Sequence, residues 1–251
     1  AGTQLQQIPP SPMPQKQSPE ISLVPSQAAV APETDEIKVS VQRIQISGMQ
    51  AYAEADLLKQ IPFNPNSQLS LAELRAMAAK IATYYHNNGY FVAQAYLPAQ
   101  EINNGVVKIA VIEGQYGKVI VRNPTNLSNR LVENQLEGIN SGDAITSVPL
   151  EHRLLLLSDI AGVKINSTLA PGATVGTSDL IVDVAPAARV NGSIDADNAG
   201  NRYTGENRLG ATINLNNLAG RGDVASLRLL TSAEGLNYAR AAYQLQLAKA
   251  T

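Results

Sequence analysis

From Val190 onward the chain alternates. Val190, Gly192, Ile194 and Ala196 take every second position against Arg189, Asn191, Ser193 and Asp195. Leu209, Ala211, Ile213 and Leu215 do the same against Arg208, Gly210, Thr212, Asn214 and Asn216. Ala225, Leu227 and Leu229 continue the pattern, as do Ala239, Ala241, Tyr243, Leu245 and Leu247, with Arg240, Gln244 and Gln246 on the opposite side. A period of two places one apolar and one wet face on a meander of strands. Such a sheet either meets a second sheet in water or becomes the wall of an outer-membrane barrel, with lipid outside and polar residues lining a lumen. Small residues such as Gly192, Ala196 and Ala211 do not decide between the two.

Composition removes other classes. In 251 residues there are 19 basic and 21 acidic side chains, a formal net charge of -2, and no Lys/Arg run, so a nucleic-acid partner is not expected. No cysteine is present, which excludes disulfides, thiol nucleophiles and thiolate metal sites. Nothing approaches the roughly 18 consecutive apolar residues of a spanning helix. The start at Ala1-Gly2, without Met or a basic-then-apolar leader, reads as a mature form.

Residues 1–35 hold seven of the 14 prolines and read as an extended tether or a disordered tail. The stretch before the first proline, about residues 3–8, is too short for a helix that fills a barrel. From Glu36, the β-branched run Ile37, Val39, Val41, Ile44 and Ile46 predicts a strand ending at Gly48. A short helix over residues 52–60 precedes Pro62 and Pro65. Ser70-Leu71-Ala72-Glu73 is then a capping box opening a helix whose stripe is Leu71, Leu74, Ala78, Ile81 and Tyr85, closed by Asn88-Gly89. Strands are expected over residues 91–97 and 106–113. The order β-α-α-β-β then repeats: a strand at 118–122, a helix at 128–136, a longer helix with the stripe Leu150, Leu154, Leu157 and Ala161, and strands at 163–169 and 180–184. Tandem α+β domains over residues 36–114 and 115–187, followed by strands over 188–251, fit this best.

These residues resemble the outer-membrane transporters of two-partner secretion, of the haemolysin-activator and haemagglutinin-exporter type. The resemblance is carried by Ser70 to Arg75 with Tyr84-Tyr85-His86-Asn87-Asn88-Gly89-Tyr90, by Ala95-Tyr96-Leu97-Pro98-Ala99-Gln100, and by Asn104-Gly105-Val106-Val107 running to Val111-Ile112-Glu113-Gly114. Asp197-Asn198-Ala199-Gly200 with Thr204-Gly205, and Asn217-Leu218-Ala219-Gly220-Arg221-Gly222-Asp223, look like that family's first barrel strands and first periplasmic turn. It implies two polypeptide-transport-associated (POTRA) domains, residues 1–187 in the periplasm of a Gram-negative cell, and the first strands of a barrel in outer-membrane lipid. It also implies a function: capture of one large secreted exoprotein as an extended, unfolded chain, and its export without nucleotide hydrolysis. The alternatives are a POTRA-like structural or assembly scaffold, and a soluble periplasmic module binding carbohydrate or peptide.

Two sets of site residues follow. Arg189, Asn191, Ser193, Asp195, Arg208, Thr212, Asn214 and Arg240 are expected to face the lumen. The resemblance further implies that the first strand of each domain pairs with the last, leaving the middle strand as an edge that offers backbone groups to an extended chain. In the first domain Phe91, Val92, Gln94 and Tyr96 would frame a partner-binding groove with Tyr85 and Ile81, unless those two are core; the second domain's counterpart lies around residues 165–169.

No enzyme, cofactor, metal or small-molecule substrate is expected. His86 and His152 have no ligand spacing around them. Asp195, Asp197 and Gly200 lack the closing Glu of a calcium loop. Arg221-Gly222-Asp223 reads as a periplasmic turn and not as an adhesion tripeptide, and Gly114 to Lys118 as a junction between domains and not as a phosphate loop.

Overall fold

A computed structural model of the chain describes residues 21–23, 38–232 and 234–245. The expectations for residues 1–20 and 24–37, and for Gln246 and Leu247, lie outside them. Strand β1 (Ile21–Leu23) precedes the first α+β unit, which opens with β2 (Lys38–Val41) and β3 (Arg43–Ser47). The single strand expected here breaks at Gln42, because the amides of Gln42 and Arg43 both donate to the Gly105 carbonyl, at 2.8 and 3.2 Å. After α1 (Glu54–Leu58), β2 pairs antiparallel with β4 (Ser67–Ser70), a strand its sequence hides, since Leu69 alone is apolar.

Helix α2 (Leu71–Asn87) starts at the expected capping box: the Ser70 hydroxyl accepts from the Glu73 amide at 3.2 Å, and the Glu73 carboxylate accepts from the Ser70 amide at 2.7 Å. Leu74, Met77, Ala78, Ile81 and Tyr85 form its buried stripe, while Leu71 stays 40% exposed at the first turn. Gly89, at φ +90°, ends it. Strands β5 (Gln94–Tyr96) and β6 (Val106–Ile112) complete a sheet of order β3-β6-β5, with β3 parallel and β5 antiparallel to β6.

Behind this sheet sits a polar tie that was not legible in the sequence. One oxygen of buried Glu113 accepts from the amides of Gln50 and Ala51, at 2.6 and 2.8 Å, and from the Tyr85 hydroxyl at 2.8 Å. Burial, and then the Glu113 carboxylate, push the Tyr85 phenol far above its ordinary pKa, so it remains a donor.

The second unit repeats the order with β7 (Gln115–Arg122), α3 (Asn129–Gln135), α4 (Ser147–Ser158), β8 (Val163–Pro171) and β9 (Thr177–Pro186). Leu150, Leu154 and Leu157 of α4 share its core with Leu180, Val182 and Val184 of β9. Its sheet runs β1-β8-β9-β7, so the middle strand β8 again lies outside the last, and β1 lies parallel on its outer edge. The chain then forms a four-stranded antiparallel meander, β10 (Val190–Asp197), β11 (Arg208–Asn216), β12 (Val224–Ser232) and β13 (Asn237–Gln244).

Replacing Glu113 by Ala strands two amides and a phenol in the interior. The expected loss is about 3 kcal/mol for the first unit, read by chemical denaturation, with hydrogen exchange at Gln50 and Ala51 accelerated well before global unfolding.

Candidate functional site

The site residues expected from the sequence fall on two kinds of surface: strand edges and the polar face of the meander. The edge expected in the first unit is shorter than the sequence implied. Phe91 and Val92 lie before β5 and pack against the core of the second unit, so they join the two units instead of framing a groove. Tyr85 and Ile81 are fully buried core residues, Tyr85 being held by Glu113, and neither can touch a partner. Only Gln94 and Tyr96 project from β5 into solvent, Tyr96 at 45% exposure. Beyond Pro98 the Gln100 amide stands in for a strand, donating to the Lys108 carbonyl at 2.8 Å and accepting from its amide at 2.7 Å. The β6 edge is closed there, and β5 offers three residues.

The second unit offers more. Strand β8 has nine residues, and β1 covers three of them, with Ile21 opposite Ser167 and Leu23 opposite Leu169. The outward side chains on this stretch are Lys164 and Asn166, both exposed, and the half-buried Thr168.

On the meander, register decides which residues share a face. Asn191 is opposite Asn214, Ser193 opposite Thr212, Asp195 opposite Gly210, and Asp197 opposite Arg208. Thr212 is opposite Arg228, which is opposite Arg240. Seven of the polar residues singled out in the sequence therefore lie on one face; Arg189 sits in the bend just before β10, where its carbonyl accepts from the Asn216 amide at 2.7 Å. The other face carries Ile194, Leu209, Ile213, Leu227 and Leu229, between 43% and 81% exposed. In a water-soluble fold that face would need a cover, which none of the described residues supplies.

The polar face is built around two ion pairs. Asp197 holds Arg208 at 2.7 Å, and Asp195 holds Arg228 at 3.1 Å. Asp195 reaches past β11 to β12 because its register partner is Gly210, where a Cβ would stand 2.4 Å from the Asp195 carboxylate. Thr212 lies beneath this bridge, accepting from Arg228 at 3.3 Å, and is shut off from solvent. Sequence reasoning did not place Arg228 and Asp197 on this face, although both keep the polar phase of their strands.

The turn between β11 and β12, residues 217–223, is a folded unit. Asp223 is fully buried and accepts from the amides of Ala219 and Arg221 and from the Tyr243 hydroxyl, the last at 3.0 Å. An adhesion tripeptide would need that carboxylate exposed. His86 is likewise occupied, with its Nε2 2.8 Å from the Ala93 carbonyl.

A Gly210→Val change is expected to displace the Asp195 carboxylate and cost the sheet about 2 kcal/mol, the scale of a hydrogen-bonded charge pair. Heat-modifiability of the folded barrel on gels reads the loss, and Gly210→Ala should lie between.

The chain matches the family described as "POTRA domain, ShlB-type" over residues 39–114, and that described as "Haemolysin secretion/activation protein ShlB/FhaC/HecB" over residues 176–248. The heme/hemopexin transporter protein HuxB of Haemophilus influenzae (strain 86-028NP) is 35% identical over 214 residues, 82% of this chain and 38% of HuxB. The outer membrane transporter CdiB of Escherichia coli O6:K15:H31 (strain 536 / UPEC) is 24% identical over 184 residues, 73% of this chain and 31% of CdiB. The solved structure of CdiB from Escherichia coli shares the fold at a TM-score of 0.64 and 22% identity, over 83% of this chain and 38% of that one. The chain thus spans well under half the length of each of these relatives. Its paired β-α-α-β-β units, the amphipathic meander that follows and these matches together place the chain in the ShlB/FhaC/HecB family of two-partner secretion transporters, proteins of the outer membrane with a periplasmic POTRA segment.

Proposed function

We propose that the chain is the capturing and entry portion of a protein exporter: its periplasmic units hold a secreted partner as an extended chain on a strand edge and pass it to the polar wall of a barrel. The observation that carries this reading is β1 on β8. An extended three-residue segment is already held on that edge by main-chain pairing, which is how a sheet binds a chain without demanding a sequence. A partner that must remain unfolded until it has crossed the membrane needs such tolerance. The residues offered for the contact are Gln94 and Tyr96 on β5, and Lys164 and Asn166 on the stretch of β8 that β1 leaves open.

The meander carries the second half of the reading. Its outer strands β10 and β13 each have an unpaired edge within the sheet, and hydrocarbon does not tolerate open edges. We therefore infer that it works as part of a closed barrel in a longer transporter, with Ile194 and Ile213 toward lipid and Arg189, Asn191, Ser193, Asp195, Arg208, Asn214 and Arg240 toward the conduit. The Gly114 to Lys118 segment opens β7 and not a helix, so it reads as the junction between the two units. A pure scaffold would have no use for a face of aligned Asp–Arg pairs. The greater identity to HuxB, 35% against 24% for CdiB, leads us to propose a partner that handles heme or hemopexin.

A photo-reactive residue placed at Asn166, at Tyr96 or at exposed Val148 on α4 of the complete transporter tests the reading. Adducts with the partner's N-terminal region are expected from Asn166 first and Tyr96 second, and none from Val148. Adducts from Val148 alone, or from no position, would contradict capture on an edge.

A further inference from the structure

The second unit and the meander are not simply consecutive. Only three residues, Ala187 to Arg189, separate β9 from β10, and this connection is pinned at both sides. The Ala187 amide donates to the Gly162 carbonyl at 3.1 Å, and the Asn216 side chain donates to the Ala188 carbonyl at 2.9 Å. Across it, the loop before α3 grips the turn between β11 and β12. The side-chain amides of Asn126 and Asn217 meet, with Nδ2 of Asn217 donating to Oδ1 of Asn126 at 3.1 Å and Nδ2 of Asn126 donating to the Asn217 carbonyl at 3.3 Å. The Ser128 amide donates to the Gly220 carbonyl at 2.9 Å.

Two glycines, one from each side, make this approach sterically feasible. A Cβ on Gly220 would stand 2.4 Å from the Asn126 carbonyl, and one on Gly162 would stand 2.8 Å from the Asn217 Cβ and 3.2 Å from that of Asn216. The gripped turn is itself rigid, because Asp223 collects its amides and Asn217, at φ +54°, accepts from the Gly222 amide through its side chain at 3.0 Å.

The consequence is one of aim. Gly162 is the residue immediately before β8, the strand whose edge carries β1, and Asn216 is the last residue of β11 on the polar face, in phase with Asn214 and Thr212. The contact sets the start of the capturing edge against the end of the polar wall. Its three hydrogen bonds join uncharged groups, and Asn126 and Ser128 are exposed to solvent, so the grip is held by weak bonds that a pair of substitutions can remove.

We propose that Asn126, paired with Asn217 and assisted by the Ser128 amide on Gly220, is a positioning clamp that aims the β8 edge at the polar wall, so that a chain lying on β8 is delivered onto Asn216 and Asn214. This rests on the capture reading above and adds to it the element that sets the handover geometry.

The test uses the complete transporter in outer membranes, spin-labelled at Glu151 on α4 and at Glu234 in the turn after β12. Asn126→Ala combined with Ser128→Pro removes all three bonds; Ser128 already sits at φ -61°, which proline accepts. The wild type should give one narrow distance distribution and the double variant a broad one, with partner adducts at Asn166 retained and secretion down about tenfold, the effect of losing a few weak hydrogen bonds. Asn126→Asp, which keeps the acceptor for the Asn217 amide, should retain more of both readouts than Asn126→Ala; if the double variant fails to assemble, Asn126→Ala alone must still broaden the distribution. An unchanged distribution, or a broad one with full secretion, would overturn the clamp. Absence of adducts at Asn166 in the wild type would overturn the capture reading, and the distance measurement would still decide the clamp.

Discussion

Every part of this chain answers one demand, that main-chain N–H and C=O groups have partners wherever water cannot supply them. In the meander the demand is met strand to strand, which leaves side chains free to alternate between two solvents. Among the described residues the apolar face bears no ion pair, and the polar face has the pairs Asp197–Arg208 and Asp195–Arg228, spanning neighbouring and next-neighbouring strands. Those bridges cross-brace the sheet laterally. Gly210 is where the bracing constrains the sequence most, since a side chain there would occupy the path of the Asp195 carboxylate.

In the α+β units the same backbone chemistry is left partly unsatisfied at strand edges, and the two units treat their edges differently. The first closes most of its own: β5 is three residues long, Pro98 follows it, and Gln100 imitates the next strand along β6. The second leaves nine residues of β8 at the rim and places an extended segment on only three. An edge that is already held closed is a poor receptor for another chain, whereas one that accepts a segment of low sequence content is a good one. The proposed division of labour follows, with the first unit bracing the second through Phe91 and Val92 and the second doing most of the binding.

How much of this was legible in the sequence depended on whether the governing contact was local. The capping box of α2, the stop at Gly89 and the alternation after Pro186 are written within a few residues, and the structure has all three. The pairing of polar residues on one face follows from the same alternation once register is known. What was hidden depends on distant partners. Gln42 turns because Gly105 accepts its amide; Tyr85 is core because Glu113, 28 residues on, needs its proton; Phe91 and Val92 leave the edge because the second unit's core receives them. Strand β1 lies in a proline-punctuated stretch whose composition predicts no regular structure, and β8, far along the chain, is what makes it a strand. Arg228 keeps the polar phase of β12, but its partner Asp195 sits two strands away, beyond the reach of a local pattern.

If the meander separates lipid from a water-filled conduit, thiol accessibility will distinguish its two faces. Single cysteines at Ser193, Arg240, Ile194 and Ile213 of the complete transporter, in intact outer membranes, can be offered a membrane-impermeant thiol reagent. Because the chain has no cysteine of its own, any reaction within it reports the introduced site. Rapid modification is expected at half-buried Ser193 and exposed Arg240 on the polar face, and protection at Ile194 and Ile213. Rapid modification at the two isoleucine positions with protection at Ser193 and Arg240 would contradict that separation.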